Sequence, residues 1–324
     1  MNVLLVGLGR WGEKHLRVLG GLGVTLWVSD VSPERLAWAV RHGVAPSHAL
    51  ADYRAALSAV DAVVVVTPAE SHCDITHTSL AAGRHCFVEK PLARTLAEAR
   101  RLAAGAEAAG RVVQVGHIFR FHPVTATLRE ALAGGRIGAV RYATGRFSGF
   151  KRPRTDVGIT QTDAIHFFDL FAYLFDRDAS RVSALQRDFL GRGMDDLSVT
   201  LVHYGDVPAV VEASYFTPGT WRECVVVGDR GTLVADYAAS SVTLYLGEHR
   251  QRGGVWEAVE TGKEELATGR EEPLRLELQA FLDACVGRSP NAVPASAGVR
   301  ALEIVEAAER SARVGADVCL PLRS

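Results

Sequence analysis

Lys90 is one of four lysines in a chain of 324 residues whose other basic side chains are 32 arginines. It stands in Glu89-Lys90-Pro91, at the carboxyl end of the apolar run His85 to Val88. A lysine at such a strand end faces the crevice where open α/β sheets take ligands, and the following proline restricts it to extended backbone. An ammonium group fixed there can stabilise charge developing on a reacting oxygen, although an ordinary loop lysine fits the same position. A second set lies in 162–175, where Asp163, His166, Asp169 and Tyr173 recur among apolar residues. At 3.6 residues per turn they share one stripe of a helix so apolar that it must be buried. The stripe must then be paired or line a cavity. A neutral imidazole with a carboxylate nearby suits a general base near pH 7, and the spacing equally fits a structural histidine bonded to Asp163 or Asp169.

Groups of this kind need a scaffold, and the first twelve residues indicate which. Val3 to Val6 is an uninterrupted apolar run, and Gly7, Gly9 and Gly12 follow it in G-x-G-x-x-G spacing before a helical stretch from Trp11 to Leu19. The three glycines would serve a tight turn, close approach of a pyrophosphate, and close packing of helix on strand, with the helix N-terminus facing the anion. Asp30 ends the next apolar strand, where an acidic residue would hold a ribose hydroxyl. Val31-Ser32-Pro33-Glu34 follow it without an arginine, so NAD is expected rather than NADP.

Strands and helices alternate over the first ~115 residues, as expected of repeated βα units in a doubly wound parallel sheet. From about residue 140 the pattern changes to strands separated by turn signals such as Gly228-Asp229-Arg230-Gly231. Residues 139–148, 182–188, 197–204, 209–215, 223–227 and 242–246 read as strands of a large open, mostly antiparallel sheet, and 274–286 and 298–314 as helices. The expected fold is therefore α/β, with a dinucleotide-binding Rossmann domain over 1–120 and a substrate-binding and oligomerisation domain over 121–324. Alternation in Leu197-Ser198-Val199-Thr200-Leu201 predicts one covered and one open face, the open one free to cover a substrate or pair with a second subunit.

Composition narrows the function classes. Charged residues make up 23% and hydrophobic ones 48%, and the net charge is −1, so no global field recruits nucleic acid or an anionic membrane. No apolar run is long enough to span a bilayer, and Asn2 leads straight into the first strand, so neither a membrane segment nor a signal peptide is expected. The five cysteines show no paired or metal-ligand spacing, which predicts reduced thiols, no metal and a cytoplasmic setting.

The sequence resembles the Gfo/Idh/MocA family of NAD(P)-dependent sugar oxidoreductases over essentially its whole length. Gly7-Leu8-Gly9-Arg10-Trp11-Gly12, Thr67-Pro68-Ala69-Glu70-Ser71-His72, Glu89-Lys90-Pro91 and Gly116-His117-Ile118-Phe119-Arg120-Phe121-His122-Pro123 occur in the family's order. The resemblance implies a Rossmann domain joined to an α/β domain whose open sheet makes homodimer or homotetramer contacts. It also implies that Lys90 and His166 form the catalytic pair. Cofactor contacts would fall on Gly7, Gly9, Arg10, Trp11, Gly12, Asp30, Thr67, Pro68, His72, Glu89, Lys90 and Arg120. Many members carry an aspartate four residues before the histidine. That position here is Thr162, and Asp163, three before, is the alternative carboxylate.

Arg154-Thr155-Asp156-Val157-Gly158, followed by His166, is similar to the pattern of nucleotide-sugar 3-dehydrogenases in this family. Substrate contacts would then come from Lys90, His117, Arg154, Thr162, Asp163 and His166. Lys151, Arg152 and Arg154 could meet a diphosphate through forked hydrogen bonds, or form a solvated basic loop. The expected reaction is hydride transfer between a secondary hydroxyl of a sugar and NAD. An inositol or free-sugar dehydrogenase, a deoxysugar ketoreductase and a non-catalytic dinucleotide sensor are the alternatives.

Overall fold

Short valine- and leucine-rich runs at the start of the chain form a parallel sheet buried on both faces. In the computed structural model, which describes residues 1–322, this part contains β1 (Asn2–Val6), α1 (Arg10–Gly20), β2 (Thr25–Ser29), α2 (Pro33–Arg41), β3 (Ala49–Leu50) and β4 (Ala62–Val65). It continues with α3 (Ala69–Ala81), β5 (His85–Glu89), α4 (Leu96–Ala109) and β6 (Val113–Gly116). The strand order is β3-β2-β1-β4-β5-β6, all parallel. The order reverses between β1 and β4, and their carboxyl ends flank the ligand crevice of such sheets. Local signals set the helix ends: the Ser32 hydroxyl caps α2 ahead of Pro33, and a Thr95–Glu98 capping box opens α4.

The second part contains α5 (Pro123–Ala133), β7 (Val140–Gly149), a π-helical turn (Thr160–Ala164), α6 (Ile165–Phe175), β8 (Ala179–Arg187), β9 (Leu197–Tyr204) and β10 (Val207–Ser214). It continues with β11 (Thr220–Gly228), β12 (Gly231–Asp236), β13 (Ser241–Arg252) and β14 (Val255–Leu266). Later in the chain come α7 (Pro273–Cys285), α8 (Ala295–Val314) and β15 (Val318–Cys319). Nine strands line up as β14-β13-β12-β11-β7-β10-β9-β8-β15, antiparallel throughout except for the parallel pair β7–β10. Alternation works as expected in β9, where Ser198, Thr200, Val202 and Tyr204 are buried and Val199 is exposed on the other face.

The covered face takes α6. Phe167, Phe168 and Phe171 are fully buried, each removing a large ring from water for about 2–3 kcal/mol. The Tyr204 hydroxyl donates to the Phe168 carbonyl at 2.9 Å. A Cβ on Gly145 of β7 would stand 2.6 Å from Phe167 Cγ, so glycine is what lets the helix close on the sheet.

By internal contacts the chain divides into Met1–Ile118 with Glu272–Leu302, and Phe119–Glu271 with Glu303–Ser324. The return of 272–302 to the first unit has no counterpart in a single division near residue 120. Its physical basis is a face of the parallel sheet that α7 covers. Leu274, Leu278, Phe281 and Leu282 join Val3, Leu5, Val64 and Phe87 in one core, with Phe281 edge-on to Phe87 at 5.8 Å. The short β3 and β15 and the longer β12 and β14 are likewise absent from the strands read in the sequence. β14 is exposed along nearly its whole length, so it has no apolar alternation to reveal it and is held by pairing with β13. Among the described residues no helix is long and apolar enough to cross a membrane.

Candidate active site

The glycine loop between β1 and α1 is shaped by contacts that exclude side chains. Gly7 has φ +95°, and a Cβ on Gly12 would stand 2.1 Å from the Gly7 carbonyl oxygen. Gly9 differs: its Cβ direction meets nothing within 4 Å, and as N-cap of α1 it offers no side chain to the first N–H groups of the helix. Open space above unclaimed helix N–H donors fits a dinucleotide pyrophosphate. Asp30 closes the cradle, one carboxylate oxygen accepting from Leu8 N–H at 2.6 Å and the other from Ser32 N–H at 2.9 Å. Each oxygen keeps a lone pair for a ribose hydroxyl. Arg35 donates through Nε to the Leu8 carbonyl and through Nη2 to Glu13, both at 2.6 Å. Arg10 lies exposed at the start of α1.

Glu89, at the end of β5, is buried and gathers donors from α1. Trp11 Nε1 donates to Oε1 at 2.5 Å, His15 Nε2 lies 3.2 Å from the same oxygen, and the Lys90 N–H donates to Oε2 at 3.2 Å. Burial alone would raise this carboxyl, but His15, Trp11 and the Lys90 charge hold it below its ordinary value. The first turn of α1 is thereby tied to the backbone that carries Lys90. His72 makes a similar tie: its Nδ1 lies 2.7 Å from the Pro91 carbonyl and its Nε2 2.9 Å from that of Thr67. The Thr67 hydroxyl accepts from Ser71 at 2.7 Å, and Pro68 caps α3. His117 is buried just after β6.

In the second unit the site residues converge on the start of α6. His166 is 7% exposed and nearly parallel to two rings, Phe147 at 5.2 Å and Phe119 at 4.9 Å. Phe119 in turn stacks on Tyr237 at 4.4 Å. Both carboxylates of the predicted stripe bond cations. Lys151 Nζ reaches Asp163 Oδ2 at 2.6 Å, and Arg120 forks onto Asp169 at 2.7 and 2.5 Å. Burial would lower the Arg120 guanidinium, but Asp169 raises it above its ordinary value. Tyr173 lies under Arg120 and Arg129, at 4.8 and 4.2 Å.

The helix does not run unbroken into Asp163. Thr162 and Asp163 sit in the wider π turn, a geometry frequent at functional sites. The Thr162 hydroxyl donates to the Gly158 carbonyl and lies 3.5 Å from the Tyr215 hydroxyl. Asp195 anchors the start of the turn by accepting from the Thr160 N–H and hydroxyl, at 2.9 and 2.5 Å. Arg154 forks onto Asp156 at 2.8 and 2.5 Å. Phe119, Phe147, Asp195, Tyr215 and Arg222 were not singled out in the sequence. They come from separate loops and strands, and no spacing signal joins them.

A doubly wound dinucleotide-binding unit together with a histidine-bearing α/β unit defines a two-domain oxidoreductase. The chain belongs to the Gfo/Idh/MocA oxidoreductase family. Residues 1–117 match the model for its NAD-binding Rossmann fold and residues 129–320 that for its C-terminal alpha/beta domain. It is 26% identical over 303 residues to UDP-N-acetylglucosamine 3-dehydrogenase of Acidithiobacillus ferrooxidans, covering 93% of this chain and 94% of that one. A solved structure of that enzyme matches with a TM-score of 0.84 at 24% identity, covering 97% of this chain and 98% of the other. Inositol 2-dehydrogenase of Acidothermus cellulolyticus is 31% identical over 268 residues, covering 78% of this chain and 77% of that protein.

Proposed function

We propose that this protein is an NAD-dependent dehydrogenase that oxidises a secondary hydroxyl of a nucleotide-linked sugar at ring C3. The observation that carries the reading is the start of α6, where a buried histidine follows a carboxylate already bonded to a lysine. NAD, held by the glycine loop and Asp30, would supply the hydride acceptor. His166 takes the hydroxyl proton, with its ring held between Phe119 and Phe147. Lys90 supplies positive charge for the developing alkoxide, and Glu89 fixes the backbone that carries it. The Lys151–Asp163 pair supplies a carboxylate to orient the sugar. Asp30 favours NAD over NADP, because it would repel a 2′-phosphate and Arg35 is occupied by Leu8 and Glu13.

Self-association through the open face of the nine-stranded sheet belongs to the same reading. Leu185, Val199 and Val210 are exposed there on three neighbouring strands. The similarity to an inositol 2-dehydrogenase supports inositol as a second substrate class. Purified protein with NAD⁺ and a panel of UDP-sugars, dTDP-sugars, free sugars and inositol tests these readings. Higher kcat/KM with a nucleotide-linked sugar supports the first, and turnover of inositol alone replaces it with the second. No dinucleotide reduction with any member overturns the dehydrogenase.

A further inference from the structure

The loops around Asp163, together with strand β11, hold more cationic groups than their carboxylates bind. Lys151 bonds Asp163 and Arg154 bonds Asp156. Arg222 lies 3.5 Å over the Phe147 ring and donates to the Ser148 and Trp221 carbonyls, at 2.9 and 2.6 Å. Arg192 donates through Nη1 to the Arg154 carbonyl at 2.7 Å and lies 5.8 Å from the Tyr215 ring. Its Nε and Nη2 are covered and meet no acceptor among the described residues.

Neighbouring acids are turned elsewhere. Asp188 accepts from the backbone N–H groups of Arg192 and Gly193, Asp196 from those of Phe189 and Leu190, and Asp195 from Thr160. Two guanidinium groups thus have no hydrogen bond to a carboxylate, and covered N–H groups without acceptors favour any anion that supplies them.

The second observation is aromatic. Phe189 is 65% exposed and Phe216, next to Tyr215, is 37% exposed, with the rings in edge contact at 5.8 Å. Phe150, next to Lys151, is 80% exposed. Guanidinium forks match phosphate oxygens, and exposed rings offer stacking surface to any nucleobase.

We propose that Arg192 and Arg222 bind the diphosphate, and Phe189 with Phe216 the base, of a nucleoside diphosphate that carries the sugar. This deepens the nucleotide-linked reading above and rests on it. It moves the phosphate contacts away from Lys151 and Arg154, whose charges are already bonded to Asp163 and Asp156.

Calorimetry with UDP and dTDP on the full-length protein, with NAD⁺ present, tests the subsite, and melting curves check that each variant is folded. R192A and R222A are expected to weaken nucleotide binding about 10- to 100-fold, the range for a hydrogen bond to a charged group. Arg192 lies on a loop, so R192A carries the test even where R222A fails to fold. F189A and F216A should weaken UDP several-fold and leave inorganic pyrophosphate unchanged. If wild type binds UDP and turns over UDP-sugars while R192A binds UDP equally well, the subsite is overturned and the nucleotide-linked reading stands. Turnover of free sugars by a wild type that binds neither UDP nor dTDP overturns both. Should F189A and F216A dissociate an oligomer without weakening UDP, the ring pair is a subunit contact and the base site is overturned.

Discussion

Lys151 sits twelve residues before Asp163, and its ammonium lies 2.6 Å from the Asp163 carboxylate. The pair joins the loop after β7 to the π turn before α6, with the carboxylate buried and the lysine about one-third exposed. Lys151→Met removes the partner of a buried acid. It should lower stability by about 1–2 kcal/mol, moderated by solvent at the lysine, and reduce kcat/KM. The double variant with Asp163→Asn should recover most of the melting temperature but not the activity. Melting curves and kinetics on the two single variants and the double variant check this, and a Lys151→Met protein as stable and active as wild type would leave the pair without a role.

Asp30 should decide between cofactors. Steady-state kinetics are expected to favour NAD⁺ over NADP⁺ in the wild type. Asp30→Asn keeps an acceptor for Leu8 N–H while removing the charge that repels a 2′-phosphate, so the preference should narrow. A wild-type preference for NADP⁺ would sink the role given to Asp30.

His122 predicts a pH dependence of stability. It caps α5, its Nδ1 accepting from the Val124 N–H at 3.2 Å, and burial pushes its pKa down to about 4. Above the ordinary histidine value near 6.5 both folded and unfolded chains carry it neutral, and its contribution is fully present. Between about 6.5 and 4 the unfolded chain binds the extra proton, so stability falls as pH falls. Linkage sets the loss at no more than about 3 kcal/mol near pH 4, and solvent at the partly exposed ring lowers it toward about 2; His122→Asn, which keeps a cap, should remove it. Denaturant titrations at several pH values measure the slope, and an unchanged slope in the variant assigns the acid sensitivity elsewhere.

His166→Asn should abolish most turnover. In the wild type, kcat/KM for oxidation should fall at low pH as the base gains its proton, and the variant's residual activity should lack that limb. Lost contact with Phe119 and Phe147 should cost only about 0.5–1.5 kcal/mol. An acidic limb that survives the substitution would return the catalytic proton to another group.

The parallel unit was legible because each signal there is local: Val3 to Val6, three glycines and Asp30 follow one another in sequence and act together in space. The second unit was legible in its alternation and in the apolar stretch of α6. Its site chemistry was not, because the partners that decide it are distant in sequence. Asp169 meets Arg120 from forty-nine residues earlier, and His166 lies against rings from the segment before α5 and from β7. A regular helical stripe also assumed one pitch throughout. The π turn at Thr160–Ala164 widens the helix where Asp163 turns to Lys151. The helix at α7 was legible, but its place in the first unit was not, because its pattern reports an amphipathic helix without saying which sheet it covers.

Isotope transfer shows whether hydride leaves ring C3 of a nucleotide-linked sugar. The protein is incubated with NAD⁺ and a UDP-hexose carrying deuterium at C3, and the dinucleotide is recovered for mass spectrometry. The expected product is reduced dinucleotide that has gained the deuterium, absent after Lys90→Met or His166→Asn. Reduced dinucleotide without the label would place the oxidation at another carbon, and no reduced dinucleotide from any nucleotide-linked sugar would rule out this dehydrogenase activity.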